Sequence, residues 1–336
     1  MKTEVKEMQN NSSVKNYQDI QTIKTMYEKA FDDKSTEEIK ISVLSGGMKN
    51  AVYLIENNNN NNKVVLKIAP KDESKMISVD RNIFWWEAEM LKRMQEISFP
   101  SPRLLYYDDS CELCESPYLF MSYIEGETYS KIKEKLSEEE KAKIEYQLGL
   151  LSKKICLIKG NNFFIPSHPD KKFNNNYEFV SYIFDLLLEN ANSLNMNLGK
   201  ENYENIKNLI ISNKESLNNI NDICLVHTDI WDGNILIKNG KVSGIVDFSD
   251  LYFGDEIMTF YFHTIDGKTS ESFLNGFNNK KLNNDEKIRI EIYRLYVILK
   301  MIVDCELKQY GKFGWMYKNL DTRIDSLQRI KNKGKY

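Results

Sequence analysis

Residues 225–250 constrain this chain more than any other stretch. Short apolar runs at Leu225-Val226, Ile235-Leu236-Ile237 and Ile245-Val246 suit buried strands. Asn239-Gly240 separates the second from the third, and this pair is a strong hairpin signal because both residues tolerate positive φ. Folding the chain back along such a hairpin brings three polar groups to strand ends: Asp229, Asn234 and Asp247.

Asp229 and Asn234 are five positions apart, and Asp229 and Asp247 eighteen. That spacing equals the kinase pattern of an Asp that meets the substrate hydroxyl, an Asn on Mg²⁺ and a later Asp on Mg²⁺. The residue types suit that chemistry. Magnesium is hard and takes oxygen ligands, so an amide oxygen of Asn234 and a carboxylate of Asp247 are apt donors. A weakly acidic hydroxyl is helped by a positioned carboxylate, here Asp229, that orients it and takes its proton. A polar hairpin with ordinary turn residues is the plainer reading. His227 before the loop, the hairpin within it and the acid after it weigh against that.

Length and composition set bounds. The 336 residues suffice for one large or two moderate domains with real cores. Apolar residues at 41% and charged residues at 28% are ordinary for a soluble globular protein. A net charge of −3 gives no basic footprint for nucleic acid. The start lacks an apolar signal region, and no stretch approaches 18 uninterrupted apolar residues; Tyr296 to Val303 is broken by Lys300. A cytoplasmic protein with reduced thiols and no membrane contact is expected, a monomer or weak dimer. Among five cysteines, Cys111 and Cys114 form a lone C-x-x-C with no second pair to complete a zinc site, on an expected loop between strands.

Along the chain, residues 1–16 are polar. From Tyr17 to Phe31, Ile20, Ile23, Met26, Tyr27, Ala30 and Phe31 fall on one helical face, a helix expected to cap a sheet. Strands are expected at Glu38–Leu44, Ala51–Ile55 and Lys63–Ile68. The six asparagines from Asn57 to Asn62 read as a tolerated hairpin tip without function. The turn Ser45-Gly46-Gly47 could let backbone amides approach nucleotide phosphates, since glycine lacks the side chain that would block them. Lys67 lies inside an apolar strand, so its charge either snorkels to solvent or pairs with an acid and phosphate. A helix over Asn82–Met94 places Glu87 beside its apolar side, as a partner for Lys67 or as an exposed charge. Strands follow at Arg103–Tyr107 and Tyr118–Tyr123. The second runs into Glu125-Gly126, which suits a hinge whose backbone, at Ser122, Tyr123 and Ile124, could bond a purine edge.

Beyond the hinge the pattern is helical. Ser137 to Glu140 forms a capping box that opens a helix to about Lys159, stopped by Gly160. Further helices are expected at Tyr177–Ala191, Glu201–Leu217, Glu256–Phe262, Ser270–Phe277, Glu286–Leu307 and Leu320–Lys331. The class is α+β. The expected divisions are an N-terminal helical extension (1–35), a sheet-rich N-lobe (36–121), a hinge (122–127) and a helical C-lobe (128–336).

These motifs resemble the aminoglycoside phosphotransferase and choline kinase superfamily. The resemblance covers nearly the whole chain, through Ser45 to Tyr53, Lys67, Trp86-Glu87-Ala88, Met121 to Gly126, His227 to Asn234, Ile245 to Phe248, and Gly254-Asp255. It implies a bilobal protein-kinase-like fold. It also implies a phosphotransferase with an alcohol group as acceptor, using Mg²⁺ and ATP or GTP. Asp229 would be the catalytic base, Asn234 and Asp247 the metal ligands, and Lys67 with Glu87 the phosphate-positioning pair. Thr228 and Ser249 depart from the family, which often has Gly and Trp there; neither touches a catalytic role. Asp247-Phe248-Ser249 and the missing Arg between His227 and Asp229 disfavour a protein kinase. Gly267-Lys268-Thr269 fails as a P-loop because Phe262 stands where the first Gly belongs.

The family prior favours an aminoglycoside or related antibiotic as acceptor, hence antibiotic resistance. Choline, methylthioribose, homoserine, a fructosamine or a macrolide compete with it. Asp250, Asp255, Glu256 and Asp266 could line a pocket for a cationic acceptor or be solvated helix-end charges. Trp231 could face a cation or simply pack. A pseudokinase scaffold would be expected to lose at least one of Lys67, Asp229, Asn234 and Asp247, and all are present.

Overall fold

Burial alternates strictly along Ala51–Asn57, with Ala51, Tyr53, Ile55 and Asn57 inward, the period-2 signature of a strand with one covered face. In the computed structural model, residues 14–33, 39–44, 46, 47, 49–59, 61–198, 203–220, 222–260, 269–310 and 314–333 are described. The element that covers this face is α1 (Ile20–Phe31), which buries Ile23, Met26 and Tyr27 at helical spacing. It starts three residues later than its apolar pattern suggests. Asp19 caps it by accepting from the Thr22 N–H, and the Gln18 N–H is already committed to Tyr53 Oη at 2.8 Å.

After α1 come β1 (Ile39–Val43), β2 (Ala51–Asn57), β3 (Asn62–Ile68), α2 (Phe84–Glu96), β4 (Leu104–Asp108) and β5 (Tyr118–Ser122). The five strands form an antiparallel sheet in the order β1-β2-β3-β5-β4. Tyr53, Ile55, Val64, Leu66, Tyr118 and Phe120 pack with α1 in one core. Strand alternation therefore turns Val65 and Lys67 to the opposite face. The asparagine run is not entirely without a role. Asn57 is buried at the end of β2, and its Nδ2 donates to Tyr27 Oη and Asp33 Oδ2.

The chain divides into two compact units between Glu125 and Gly126, with Met76–Arg81 belonging to the second. That unit continues with β6 (Glu127–Thr128), α3 (Tyr129–Ile132), α4 (Glu138–Ile155), α5 (Asn176–Ser193), α6 (Tyr203–Ile211) and α7 (Lys214–Asn218). The strands β7 (Ile223–His227), β8 (Ile235–Lys238), β9 (Lys241–Ile245) and β10 (Leu251–Asp255) follow. The chain ends with α8 (Glu271–Gly276), α9 (Asn284–Leu307) and α10 (Gly314–Lys333). The capping box at Ser137 and Glu140 is present, and a second joins Asn283 and Glu286 at the start of α9.

Four expectations are corrected. α4 stops at Cys156, not Gly160, because the chain straightens beside β7: the Leu225 N–H donates to the Ile158 carbonyl and the Gly160 N–H to the Ile223 carbonyl. Gly160 is needed there for space, since a Cβ would strike the Phe253 ring. The helix expected over Glu201–Leu217 is two helices. Asn213 breaks it by turning its Nδ2 back to the Leu209 carbonyl at 2.7 Å. The helix expected over Glu256–Phe262 is a 3-10 turn at Glu256–Phe260, and residues 261 and 262 lie outside the described ones. Leu251–Asp255, given no element from sequence, is a strand paired antiparallel with β7, Leu251 opposite His227.

Candidate active site

The hairpin that gathers the site forms as its turn residues dictate. Asn239 and Gly240 both take positive φ, 53° and 70°, the geometry of a type I′ turn. Ile235 pairs with Ile245 across it, and the Val246 N–H donates to the Asn234 carbonyl at 3.0 Å. The loop's exit is thereby tied to the approach to Asp247.

The loop entering the hairpin is closed by its own backbone. The Trp231 N–H donates to the Asp229 carbonyl at 3.1 Å, and the Asn234 N–H to the Trp231 carbonyl at 2.9 Å. Asn234 Nδ2 donates to both the carbonyl and Oδ2 of Asp229, each at 2.9 Å. His227 is buried, and its Nδ1 accepts from the Asp229 N–H at 3.1 Å. Burial lowers its pKa from 6.5 to about 4 despite the nearby carboxylates of Asp247 and Asp250, so the imidazole is neutral at physiological pH. Its ring packs on Phe248, centroids 5.2 Å apart.

Asp247 holds φ at +67°, a conformation costly for a residue with a Cβ and common where function demands it. Ser249 Oγ donates to Asp247 Oδ1 at 3.0 Å. Thr228 donates from both N–H and Oγ1 to the Asp250 carbonyl, at 2.9 and 2.8 Å. Catalytic-loop entry and post-hairpin segment are thus stitched together. With Nδ2 of Asn234 spent on Asp229, its Oδ1 is the remaining ligand atom. That oxygen and a carboxylate at Asp247 suit a magnesium ion that completes its shell with phosphate and water. Among the described residues, no cluster of three His, Cys, Asp or Glu could hold a metal by itself.

In the first unit, Lys67 Nζ lies 2.8 and 2.7 Å from Oε1 and Oε2 of Glu87, and both residues are buried. The strand lysine therefore does not snorkel, and Glu87 is not an exposed charge. Gly46 and Gly47 are exposed with φ of 116° and 65°, which a side chain would resist. Ser45 lies outside the described residues. The Ser122 N–H donates to the Arg103 carbonyl and its Oγ accepts from the Arg103 N–H. Ser122 thus serves the sheet with its amide. Tyr123 lies under Lys63 Nζ at 5.7 Å, and Ile124 is half-buried.

The acids weighed for a cationic acceptor are held in ion pairs. Asp250 Oδ1 meets Lys300 Nζ at 2.8 Å, and the same ammonium reaches Asp80 Oδ1 at 2.9 Å. Asp255 is 2% exposed, bound by Arg289 Nε at 2.7 Å and Tyr293 Oη at 2.9 Å. Burial pushes its carboxyl pKa up, and Arg289 only partly opposes this. Glu256 joins Lys153 and Lys280 at 2.8 and 2.9 Å. Asp266 lies outside the described residues. Trp231 stays 46% exposed, its ring against Gly233, where a Cβ would collide with it. Sequence reasoning missed Asp80, Arg289, Lys300 and the bond from Ser249. Lys300 had a signal: a lysine interrupting an apolar helical run faces the same question as Lys67.

The profile described as the phosphotransferase enzyme family matches residues 40–286. The chain belongs to this family. Solved aminoglycoside phosphotransferases share its fold. APH(4)-Ia, as a thermostable mutant with AMP-PNP and hygromycin B, is 15% identical, with 91% of this chain and 98% of that one covered and a TM-score of 0.64. APH(2″)-IIa with streptomycin and ATP is 21% identical over 93% and 97%, TM-score 0.57. ADP-bound APH(2″)-Ib is 19% identical over 93% and 99%, TM-score 0.59. No curated protein matches the chain at a significant level. Among the described residues of this phosphotransferase-family chain, no helix is long and apolar enough to cross a membrane.

Proposed function

We propose that the protein transfers the γ-phosphoryl group of ATP or GTP to a hydroxyl of a cationic small molecule of the aminoglycoside class. The observation that carries this reading is the bond from Asn234 Nδ2 to the Asp229 carboxylate at 2.9 Å. It orients the base while turning the amide oxygen toward a cation, the division of labour this transfer needs.

In this reading the Asp229 carboxylate orients the acceptor hydroxyl and takes its proton. Asn234 and Asp247 would hold Mg²⁺. When bound, the ion supplies charge neutralisation across the phosphates. Lys67, aimed by Glu87, fixes the α- and β-phosphates, and the amides of Gly46 and Gly47 approach the others. The hinge backbone at Tyr123 and Ile124 bonds the purine edge, while the Ser122 amide stays with Arg103 in the sheet. The gain is mostly positioning and preorganised charge. Trp231, exposed beside Asp229, offers its ring face to a cationic acceptor. Asp250 is tied to the loop through Thr228, and Asp255 and Glu256 are spent in ion pairs with Arg289 and with Lys153 and Lys280. The acceptor class is favoured by the neighbours of like fold whose structures carry hygromycin B or streptomycin.

The test is a coupled assay for nucleoside diphosphate release, run with ATP and with GTP. The panel holds aminoglycosides, choline, methylthioribose, homoserine, fructosamines and a macrolide. Aminoglycoside-dependent turnover is expected. Turnover with one of the other acceptors alone would redirect the substrate, and none with any acceptor would sink the proposal.

A further inference from the structure

The catalytic loop is tied at its two ends by the bonds from Asn234 to Asp229. Its middle, Trp231-Asp232-Gly233, needs a further hold. Backbone bonds within the loop close only short turns, and Gly233 adds the freedom of a residue without a side chain. The chain just past Gly126 supplies an anchor from outside. There β6 pairs with β8, Thr128 opposite Leu236, and this sets α3 beside the loop. α3 has no side-chain cap, so its early amides need partners elsewhere. The Ser130 N–H donates to the Asp232 carbonyl at 3.0 Å. One turn later, Lys133 Nζ donates to Asp232 Oδ2 at 2.8 Å. One short segment thus takes both the carbonyl and the carboxylate of a residue in the middle of the loop.

A partly exposed ion pair alone contributes little, because solvent screens it and two long side chains must be ordered. Here much of that ordering is supplied by neighbours. Lys133 Nζ lies 5.2 Å from the ring centroid of buried Tyr129, and the ring face attracts the ammonium. The carboxylate belongs to a residue whose carbonyl is already bonded. The two side chains are 36% and 32% exposed, so the pair is shielded in part and still sensitive to salt. We infer that Lys133 is a positioning residue that braces the catalytic loop through Asp232 and so keeps Asp229 on the acceptor hydroxyl. The inference rests on reading Asp229 as the proton acceptor. A small misplacement of such a group lowers the rate steeply, so a pair of modest strength shows in turnover.

The experiment is Lys133→Met in the full chain. It is read by amide hydrogen exchange and by turnover of ATP with streptomycin, hygromycin B and the rest of the acceptor panel. The amides of Ser130, Trp231 and Asn234 are expected to exchange roughly 5-fold faster. The Leu225 amide, bonded in β7 to the Ile158 carbonyl, should be unchanged, which separates a loosened loop from a loss of global stability. kcat should fall by a similar factor with KM for ATP unchanged, and Lys133→Arg should restore it. Asp232→Ala should behave as Lys133→Met does, and the double variant no worse than either, because both remove the same bond. Four results each overturn the inference: unaltered exchange at the loop, exchange rising equally at Leu225, a loosened loop with unchanged kcat, or additive losses in the double variant. If Lys133→Met does not fold, Asp232→Ala carries the same readouts. Asp229→Asn is the reference. If that variant keeps its turnover, or the unaltered protein turns over no acceptor, the phosphotransfer reading falls and exchange at the loop alone decides the brace.

Discussion

Asn234 spends its side-chain amide on Asp229 twice, once at the backbone carbonyl and once at the carboxylate, each at 2.9 Å. The two residues five positions apart therefore act as one unit. The loop cannot open without releasing the Asp229 carboxylate, and the Asn234 amide cannot turn without giving up both bonds.

Asp229→Asn is expected to lower turnover roughly 10²- to 10⁴-fold, the range for loss of a positioned proton acceptor. Calorimetric Mg·ATP affinity should stay near that of the unaltered protein. Near-wild-type turnover would remove Asp229 from the chemistry.

Lys67 and Glu87 form a buried pair, so removing one partner strands a charge. Glu87→Leu alone should cost about 3–5 kcal/mol in urea unfolding. The double variant Lys67→Met/Glu87→Leu should recover most of that stability while ATP affinity stays lost. A stable double variant that binds ATP normally would show the pair to be structural only.

His227 links stability to pH. Its folded pKa of about 4 lies below the ordinary 6.5, so between these values the unfolded chain binds the additional proton. The contribution is complete above pH 6.5 and is lost as pH falls toward 4, by roughly 3 kcal/mol. Urea denaturation of metal-free protein across this window should show the slope. His227→Asn, whose amide oxygen can still accept from the Asp229 N–H, should flatten it; an equally steep variant would assign the slope elsewhere.

Gly149 of α4 and Gly276 of α8 let two helices touch backbone to backbone. A Cβ on Gly276 would overlap the Tyr146 carbonyl, and one on Gly149 the Phe273 carbonyl. Backbone cannot yield as a flexible side chain can. Gly276→Ala should therefore destabilise the protein by about 1–3 kcal/mol or more, read as a drop in Tm. An unchanged Tm would mean that the crossing is looser than its geometry implies.

The sequence alone determined whatever depends on near neighbours. Asn239-Gly240 set the hairpin because few residues accept positive φ in succession, and the hairpin ties Asn234, which bonds Asp229, to Val246 next to Asp247. Lys67 in an apolar strand had either to snorkel or to find an acid, and helical periodicity put Glu87 beside its helix's apolar side; the fold chose the pair. Tertiary structure decided which charges cancel over long separations. Arg289 takes Asp255 across 34 positions, Lys300 takes Asp250 across 50, and Lys153 takes Glu256 across 103. Periodicity carries no information about such pairings. A carboxylate between helices reads the same whether it faces a ligand or a lysine, and only the packed fold brings the cation or leaves it away.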